Sequence, residues 1–168
     1  MSTLFFDIET NGLSDWTRHS DLHHLHCMVV IDEDNNVFRY RLNNIRAGLR
    51  KLSEAHTIIG HNAINFDYPA LRKLFGFYHH NVCDTIVMTR CIYPDLKVDD
   101  LRAGRDKSIV GLHSLKAWGK RIGVAKDDFG ETTDWSEWSQ EMEDYCVQDV
   151  AVTQKLCKHF HRYLSGSN

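Results

Sequence analysis

No stretch of this chain approaches the roughly 18 consecutive apolar residues that a membrane-spanning helix needs, although 42% of its 168 residues are hydrophobic. The N-terminus lacks a charged start followed by an apolar run, so the sequence predicts no signal peptide. Internal repeats and low-complexity segments are absent as well. These absences exclude membrane and repeat architectures, and the length and composition predict one globular domain over residues 1–168.

The chain is also poor in the features of a disulfide framework and of a duplex-binding protein. Its five cysteines are an odd number, are widely scattered and form no C-x-x-C, which favours mostly reduced core residues in a cytoplasmic protein. The 20 basic residues do not outnumber the 23 acidic ones, and a net charge of -3 is not the balance of a protein that grips duplex nucleic acid. A local basic groove beside an acidic pocket is still compatible with this charge.

The order of apolar runs and turn residues predicts an α/β fold. An apolar run and an alternating run flank a "DEDNN" turn within residues 25–42 and predict a hairpin at one edge, which makes the sheet mixed. The predicted strands cover 3–8, 25–31, 37–42, 57–62 and 80–85, and the predicted helices cover 43–55, 66–76, 85–93, 114–123 and 141–164. The polar segment 94–112 contains two glycines and predicts a long loop.

Two carboxylates stand at the end of the first predicted strand, in "FFDIETNGL". Asp7 and Glu9 are two residues apart, so they project from the same face of the strand. Burying two like charges together is costly unless a basic partner, solvent or a metal ion compensates. A third acid, Asp67, lies where a strand and turn lead into a helix, and there capping of the helix N-terminus is an alternative role.

The last predicted helix carries a fourth acid and a tyrosine on one face. Tyr145 and Asp149 are four residues apart, and the same face continues with Val152 and Leu156, so we expect it to point inward. An inward carboxylate on an apolar face needs a partner. Four carboxylates and a tyrosine form an oxygen-rich cluster of the kind that Mg²⁺ or Mn²⁺ prefers. Two such ions about 3.5 to 4 Å apart are typical of phosphodiester cleavage.

Three segments of the chain resemble, in order, the three motifs of the DEDD exonuclease superfamily. "FFDIETNGL" is similar to the D-x-E motif, "GHNAINFDYPAL" to N-x-x-x-[FY]-D, and "YCVQDVAVT" to Y-x-x-x-D, whose tyrosine marks the DEDDy branch. The flanking blocks "HSLKAWGKRIG" and "KDDF" look like segments of the 3′→5′ proofreading domain of phage family A DNA polymerases. The resemblance covers nearly all of residues 3–164.

This resemblance implies a ribonuclease H-like fold with a mixed five-stranded sheet flanked by helices. It implies hydrolysis of single-stranded or frayed DNA from the 3′ end to nucleoside 5′-monophosphates, in the host cytoplasm if the chain is phage-encoded, with a DNA polymerase as a possible partner. Two Mg²⁺ or Mn²⁺ ions would be held by Asp7, Glu9, Asp67 and Asp149, with Asp7 bridging them. Tyr145 would orient the attacking water with help from Glu9. The positions that match contacts to the 3′ end are Thr10, Leu13, Asn62 and Phe66.

Two alternatives to a DNA exonuclease stay open. The same metal ligands would serve an RNA 3′-exonuclease of the ribonuclease D or oligoribonuclease kind, which differs in how its pocket treats the 2′-hydroxyl. The chain could also be an inactive, polymerase-associated subunit, although loss of an acid is the usual trace of such decay and all four acids are present. Composition does not distinguish a stand-alone protein from a polymerase subunit or a fragment.

Several other polar residues have both a structural and a functional interpretation. Asp84 is predicted to cap the next helix, and Trp135 and Trp138 are predicted to pack at the start of the last helix or to stack on bases. The histidines and Cys27 of "HSDLHHLHC" are better explained by a strand than by a zinc site. The basic residues that could contact substrate phosphates or form a solvated face are Lys97, Arg102, Arg105, Lys107, Lys116, Lys120 and Arg121.

Overall fold

A computed structural model describes residues 2–11, 22–124 and 136–164 of the protein. Strands and helices alternate along the chain after an initial hairpin. The strands are β1 (Thr3–Thr10), β2 (Leu25–Asp32), β3 (Val37–Arg41), β4 (Thr57–Gly60) and β5 (Val82–Asp84). The helices are α1 (Ile45–Glu54), α2 (Asp67–Phe75), α3 (Thr85–Ile92), α4 (Leu96–Arg102), α5 (Leu115–Arg121) and α6 (Gln140–Leu164). No helix in these described ranges is long and apolar enough to cross a membrane.

The five strands form one mixed sheet in the order β3-β2-β1-β4-β5. β1 pairs antiparallel with β2, and β2 pairs antiparallel with β3, which confirms the predicted hairpin. β4 runs parallel to β1, and β5 runs parallel to β4. The central place of β1 explains why its sequence is apolar almost throughout, since both of its faces are covered by helices.

Alternate residues of β1 pack into two different cores. Leu4, Phe6 and Ile8 belong to a cluster with side chains from α1 and α2 on one face of the sheet. Phe5 belongs to a second cluster, which includes Cys146 and Val150 of α6, on the other face. By the two-residue period of a strand, Asp7 and Glu9 therefore lie on the face that α6 covers.

The prediction of a loop over 94–112 is wrong in its first half, because residues 96–102 form α4. This helix is held by few buried positions. Leu96 packs into a third apolar cluster with Trp118 and Phe160, and Asp100 forms a salt bridge with Arg121 of α5 at 2.6 Å. The rest of α4 is exposed, so its polar composition concealed the helix. Two buried positions one turn apart suffice to dock a short helix that propensity alone would not reveal.

The helix termini follow the sequence signals at several places. Gly76 ends α2 in the left-handed conformation with φ 66°, at the last residue of the helix that the sequence predicts over 66–76. Asp84 caps α3 by accepting a hydrogen bond from the Ile86 N–H, which confirms the predicted cap. Asn44 occupies the N-cap position of α1, but its side chain accepts instead from the Arg41 N–H at 2.7 Å.

Candidate functional site

The site lies at the end of β1, where this strand extends beyond its parallel neighbour. The recorded pairing of β1 with β4 ends at Phe5 opposite Ile59, whereas the pairing with β2 continues to Thr10. Asp7 and Glu9 stand on this extension, with Asp7 half-buried and Glu9 9% exposed. The end of β4 leaves room on that side of β1 for a side chain from another element.

Asp67 occupies this room from the start of α2. Its Oδ1 accepts a hydrogen bond from the Ile8 N–H of β1 at 3.1 Å, and the residue is only 2% exposed. Phe66, not Asp67, is the N-cap residue of α2. The capping role that the sequence left open is therefore not the main role of Asp67, because its side chain connects α2 to β1.

The pKa of Asp67 is raised to about 7, mainly by burial and also by the Asp84 carboxylate, against the lowering effect of hydrogen bonds from backbone N–H groups and from Asp7. Asp7 and Asp67 are thus in side-chain contact. Two carboxylates in contact at a buried position cannot both be ionised cheaply, so they need a shared proton or a cation between them.

The third motif reaches the same place through α6, which packs on β1. The thiol of Cys146 lies 3.5 Å from Asp7 Oδ2 and 3.5 Å from the Asp7 carbonyl oxygen. Tyr145 precedes this cysteine and is partly exposed, while Asp149 follows it by three residues and is 9% exposed. The turn of α6 from Tyr145 to Asp149 is therefore seated on the strand that carries Asp7 and Glu9.

Cys146 is the site residue that the sequence analysis missed. It was assigned to the core with the other cysteines, and it is indeed fully buried, yet it also contacts Asp7. Burial raises the pKa of its thiol well above the ordinary value, and the neighbouring Cys27 and Asp7 raise this pKa further. The protonated thiol is a donor toward Asp7. The sequence did contain one signal that Cys146 lies near the site, which is its position between Tyr145 and Asp149.

The residues that we expect to contact the 3′ end of the substrate differ in burial and in the element that carries them. Thr10 is buried at the end of β1, after an irregularity in the pairing with β2. Asn62 lies in the turn between β4 and α2 with φ 62°. Phe66 is half-buried and packs against the core on the α1 and α2 face. Leu13 lies outside the described residues.

Two of the basic and aromatic residues singled out in the sequence have structural partners. The Arg121 side chain is 5% exposed and bonds Asp100 and two backbone carbonyls, so it is neither solvated nor available to a phosphate. Trp138 lies under the Arg41 guanidinium, whose carbon is 4.2 Å from the ring centroid, which favours the packing interpretation. Trp135 lies outside the described residues.

Three side chains of the site come close enough together to be a candidate group for holding a cation. One ligand atom from each of Asp7, Glu9 and Cys146 lies within 4.8 Å of the other two. No other group of three His, Cys, Asp or Glu side chains in the described part of the chain comes together in this way, and the "HSDLHHLHC" residues that the structure describes are strand and approach to a strand. The contact between Asp7 and Asp67 adds a further carboxylate whose charge calls for compensation.

Comparison with known proteins identifies the family. The 3′-5′ exonuclease family matches residues 4–165, and the chain belongs to it. The DNA-directed DNA polymerase of Enterobacteria phage T3 is 35% identical over 185 aligned positions, covering 91% of this chain and 26% of that polymerase. The chain thus spans about a quarter of the length of this relative.

Solved structures establish the fold. NrnC of Brucella melitensis superposes with a TM-score of 0.70 at 19% identity, covering 97% of this chain and 73% of that one. The ribonuclease D of Trypanosoma brucei, solved with GMP, superposes with a TM-score of 0.58 at 15% identity, covering 93% of this chain and 49% of that one. The predicted ribonuclease H-like fold, a mixed five-stranded sheet flanked by helices, is confirmed.

Proposed function

We propose that this protein is a metal-dependent 3′→5′ exodeoxyribonuclease that removes nucleoside 5′-monophosphates from single-stranded or frayed DNA. The observation that carries the proposal is the meeting of Asp7, Glu9 and Asp67 at the free end of the central strand, in a chain of the 3′-5′ exonuclease family. The similarity to a phage DNA polymerase favours DNA as the substrate and a polymerase as the partner.

Two divalent ions, Mg²⁺ or Mn²⁺, would be held by Asp7, Glu9, Asp67 and Asp149 and would compensate the charge of these acids. The ions would supply a lowered pKa for the attacking water and a counter-charge for the leaving oxygen. Support comes from Asp67, whose carboxyl is held largely protonated below about pH 7 by burial. A cation beside it would replace the proton and stabilise the ionised form.

The protein's own groups orient the reactants. The partly exposed Tyr145 lies one turn before Asp149 on α6, from which its hydroxyl would align the attacking water together with Glu9. Thr10, Leu13, Asn62 and Phe66 would hold the terminal nucleotide. Positioning of this kind supplies a large part of the lowering of the activation barrier in phosphoryl transfer, because the protein forms no covalent intermediate.

The test uses a 5′-labelled single-stranded DNA and the matching RNA, each incubated with Mg²⁺, with Mn²⁺ and with EDTA, and sized on a gel. We expect the DNA to shorten from its 3′ end in either metal, and neither EDTA nor Asp7→Ala to permit cleavage. Asp99→Ala, which removes an exposed carboxylate of α4, is the matched control and should cleave normally.

Each alternative result has a defined meaning. Equal or faster loss of the RNA would move the protein to RNA processing. A folded Asp7→Ala variant with full activity would refute the proposed site. No cleavage of either strand by the native chain would favour a binding role beside a polymerase, and adding a polymerase to the same assay would then separate an inactive subunit from one that needs its partner.

A further inference from the structure

The turn between β4 and α2 holds Asn62 in an unusual backbone conformation. Its φ of 62° lies in the left-handed region, which a non-glycine residue enters only at a cost in energy. Among the described residues, Asn35 in the hairpin turn is the other non-glycine residue with positive φ. Asparagine tolerates this region better than most residues, and bonds within the turn from Asn65 and Phe66 hold it there, but a contact from outside the turn also acts on its backbone.

A single buried carboxylate does so. Asp84, at the end of β5, is 3% exposed and accepts three backbone hydrogen bonds. Its Oδ1 accepts from the Asn62 N–H at 2.8 Å and from the Ile86 N–H at 2.9 Å, and its Oδ2 accepts from the Ile64 N–H at 3.0 Å. Capping of α3 uses only the bond from Ile86, so the other two bonds serve the turn.

The neighbouring residue strengthens the same connection. The Thr85 hydroxyl donates to the Gly60 carbonyl at 3.2 Å, and it lies 2.8 Å from Nδ1 of His61. The junction of β5 with α3 thus contacts the chain at four positions between the end of β4 and α2, which are Gly60, His61, Asn62 and Ile64. Three charge-assisted or buried bonds on one short turn make it rigid.

The turn between β4 and α2 also fixes the start of α2. The Phe66 N–H donates to the Asn62 carbonyl at 3.0 Å, and the Tyr68 N–H donates to the Ala63 carbonyl at 2.9 Å. Asp67 lies between these two donors and bonds β1 through Ile8. The hydrogen bonds of Asp84 reach the turn and the start of α3, and none of those described above reaches α2 or β1. Through the turn, Asp84 is nevertheless connected to the start of α2 and, by way of Asp67, to β1.

We infer that Asp84 is a positioning residue, which holds Asn62 in the orientation that binds the 3′-terminal nucleotide. The inference rests on the proposed function, which gives Asn62 its contact with the 3′ end. Both oxygens of Asp84 are used as acceptors, which explains why a carboxylate stands there: an amide would present a donor to at least one of the three N–H groups.

The experiment measures recognition of the 3′ end without cleavage. Binding of a fluorescent single-stranded DNA with a free 3′ end is compared with binding of a circular strand of the same length and composition, both in EDTA. We expect Asp84→Asn to lower the preference for the free end by about tenfold and to leave the affinity for the circle nearly unchanged. Asp100→Asn makes the same chemical change at a buried ion pair remote from the turn, so it should lose stability and keep the preference.

A double-mutant cycle separates positioning from a merely structural role. In an Asn62→Ala background, Asp84→Asn should change the end preference little, because the group that Asp84 positions has been removed. If the two substitutions act independently, or if Asp84→Asn keeps the native preference, the inference is overturned. Should Asp84→Asn fail to fold, Asp84→Glu keeps the charge, displaces the acceptors and carries the same expectation.

Failure of the inference and failure of the proposed function give different results. A native chain that neither cleaves DNA nor distinguishes linear from circular strands would contradict both. A native chain that cleaves from the 3′ end and prefers linear DNA, with an Asp84→Asn variant that does likewise, would contradict the role of Asp84 alone.

Discussion

Replacing Asp67 by asparagine is expected to stabilise the metal-free protein at neutral pH. The reason is the burial that raises the pKa of this carboxyl from 3.8 to about 7 in the folded protein. Between these two values the folded state keeps a proton that the unfolded state has lost, so the free energy of unfolding falls as the pH rises. Above about pH 7 both states are ionised, and the cost of the buried charge is then fully present.

The size of the effect follows from the pKa values. Each unit of pH well inside this window costs about 1.4 kcal/mol, and the slope falls off near pH 7, where the folded carboxyl is half ionised, so the native protein should lose about 2 kcal/mol between pH 5 and pH 7 through Asp67. For a chain of this length that is a decrease of ~4 to 8 °C in melting temperature. The asparagine side chain does not titrate, and its oxygen can still accept the hydrogen bond from the Ile8 N–H.

The assay is thermal unfolding of the native protein and the Asp67→Asn variant in EDTA, at several pH values between about 5 and 8. The difference in stability should increase toward pH 7 in favour of the variant and then level off. With Mg²⁺ present the order should reverse, because only the carboxylate gains from the cation. A difference that is the same at every pH in EDTA would refute the burial argument.

Two further predictions concern α6. Tyr145→Phe should slow the single-turnover rate by about tenfold to a hundredfold and change DNA affinity little, because the role we propose for the hydroxyl is to orient water and not to hold the strand; a change in binding alone would contradict that role. Glu143→Gln should lower the free energy of unfolding in urea by about 1 to 2 kcal/mol at neutral pH, since the buried Glu143 carboxylate bonds Arg41 at 2.7 Å and hydrogen bonds from that arginine lower its pKa. The lowered pKa means that this loss should diminish below about pH 4, and a loss that persists there would contradict the ion-pair explanation.

The strands and most helices could be predicted because their signals are local. β1 is apolar and ends at turn residues, α2 begins near Pro69 and ends at Gly76, and Asp84 caps α3. α4 could not be predicted in this way, because two buried side chains and the partner Arg121 hold it, and that partner is distant in sequence. Tertiary contact decides such a helix, and its own composition does not.

The site shows the same limit at the level of single residues. The sequence placed Asp67 equally well as a helix cap and as a ligand, because both roles put an acid at the start of α2. What distinguishes them is that β4 ends its pairing with β1 two residues before Asp7, which leaves Asp67 free to bond the Ile8 N–H. Cys146 and Asp84 were read as core and cap for the same reason. Cys146 is indeed in the core and Asp84 does cap α3. Cys146 also contacts Asp7 of β1, and Asp84 also bonds the turn after β4, and local sequence reveals neither contact.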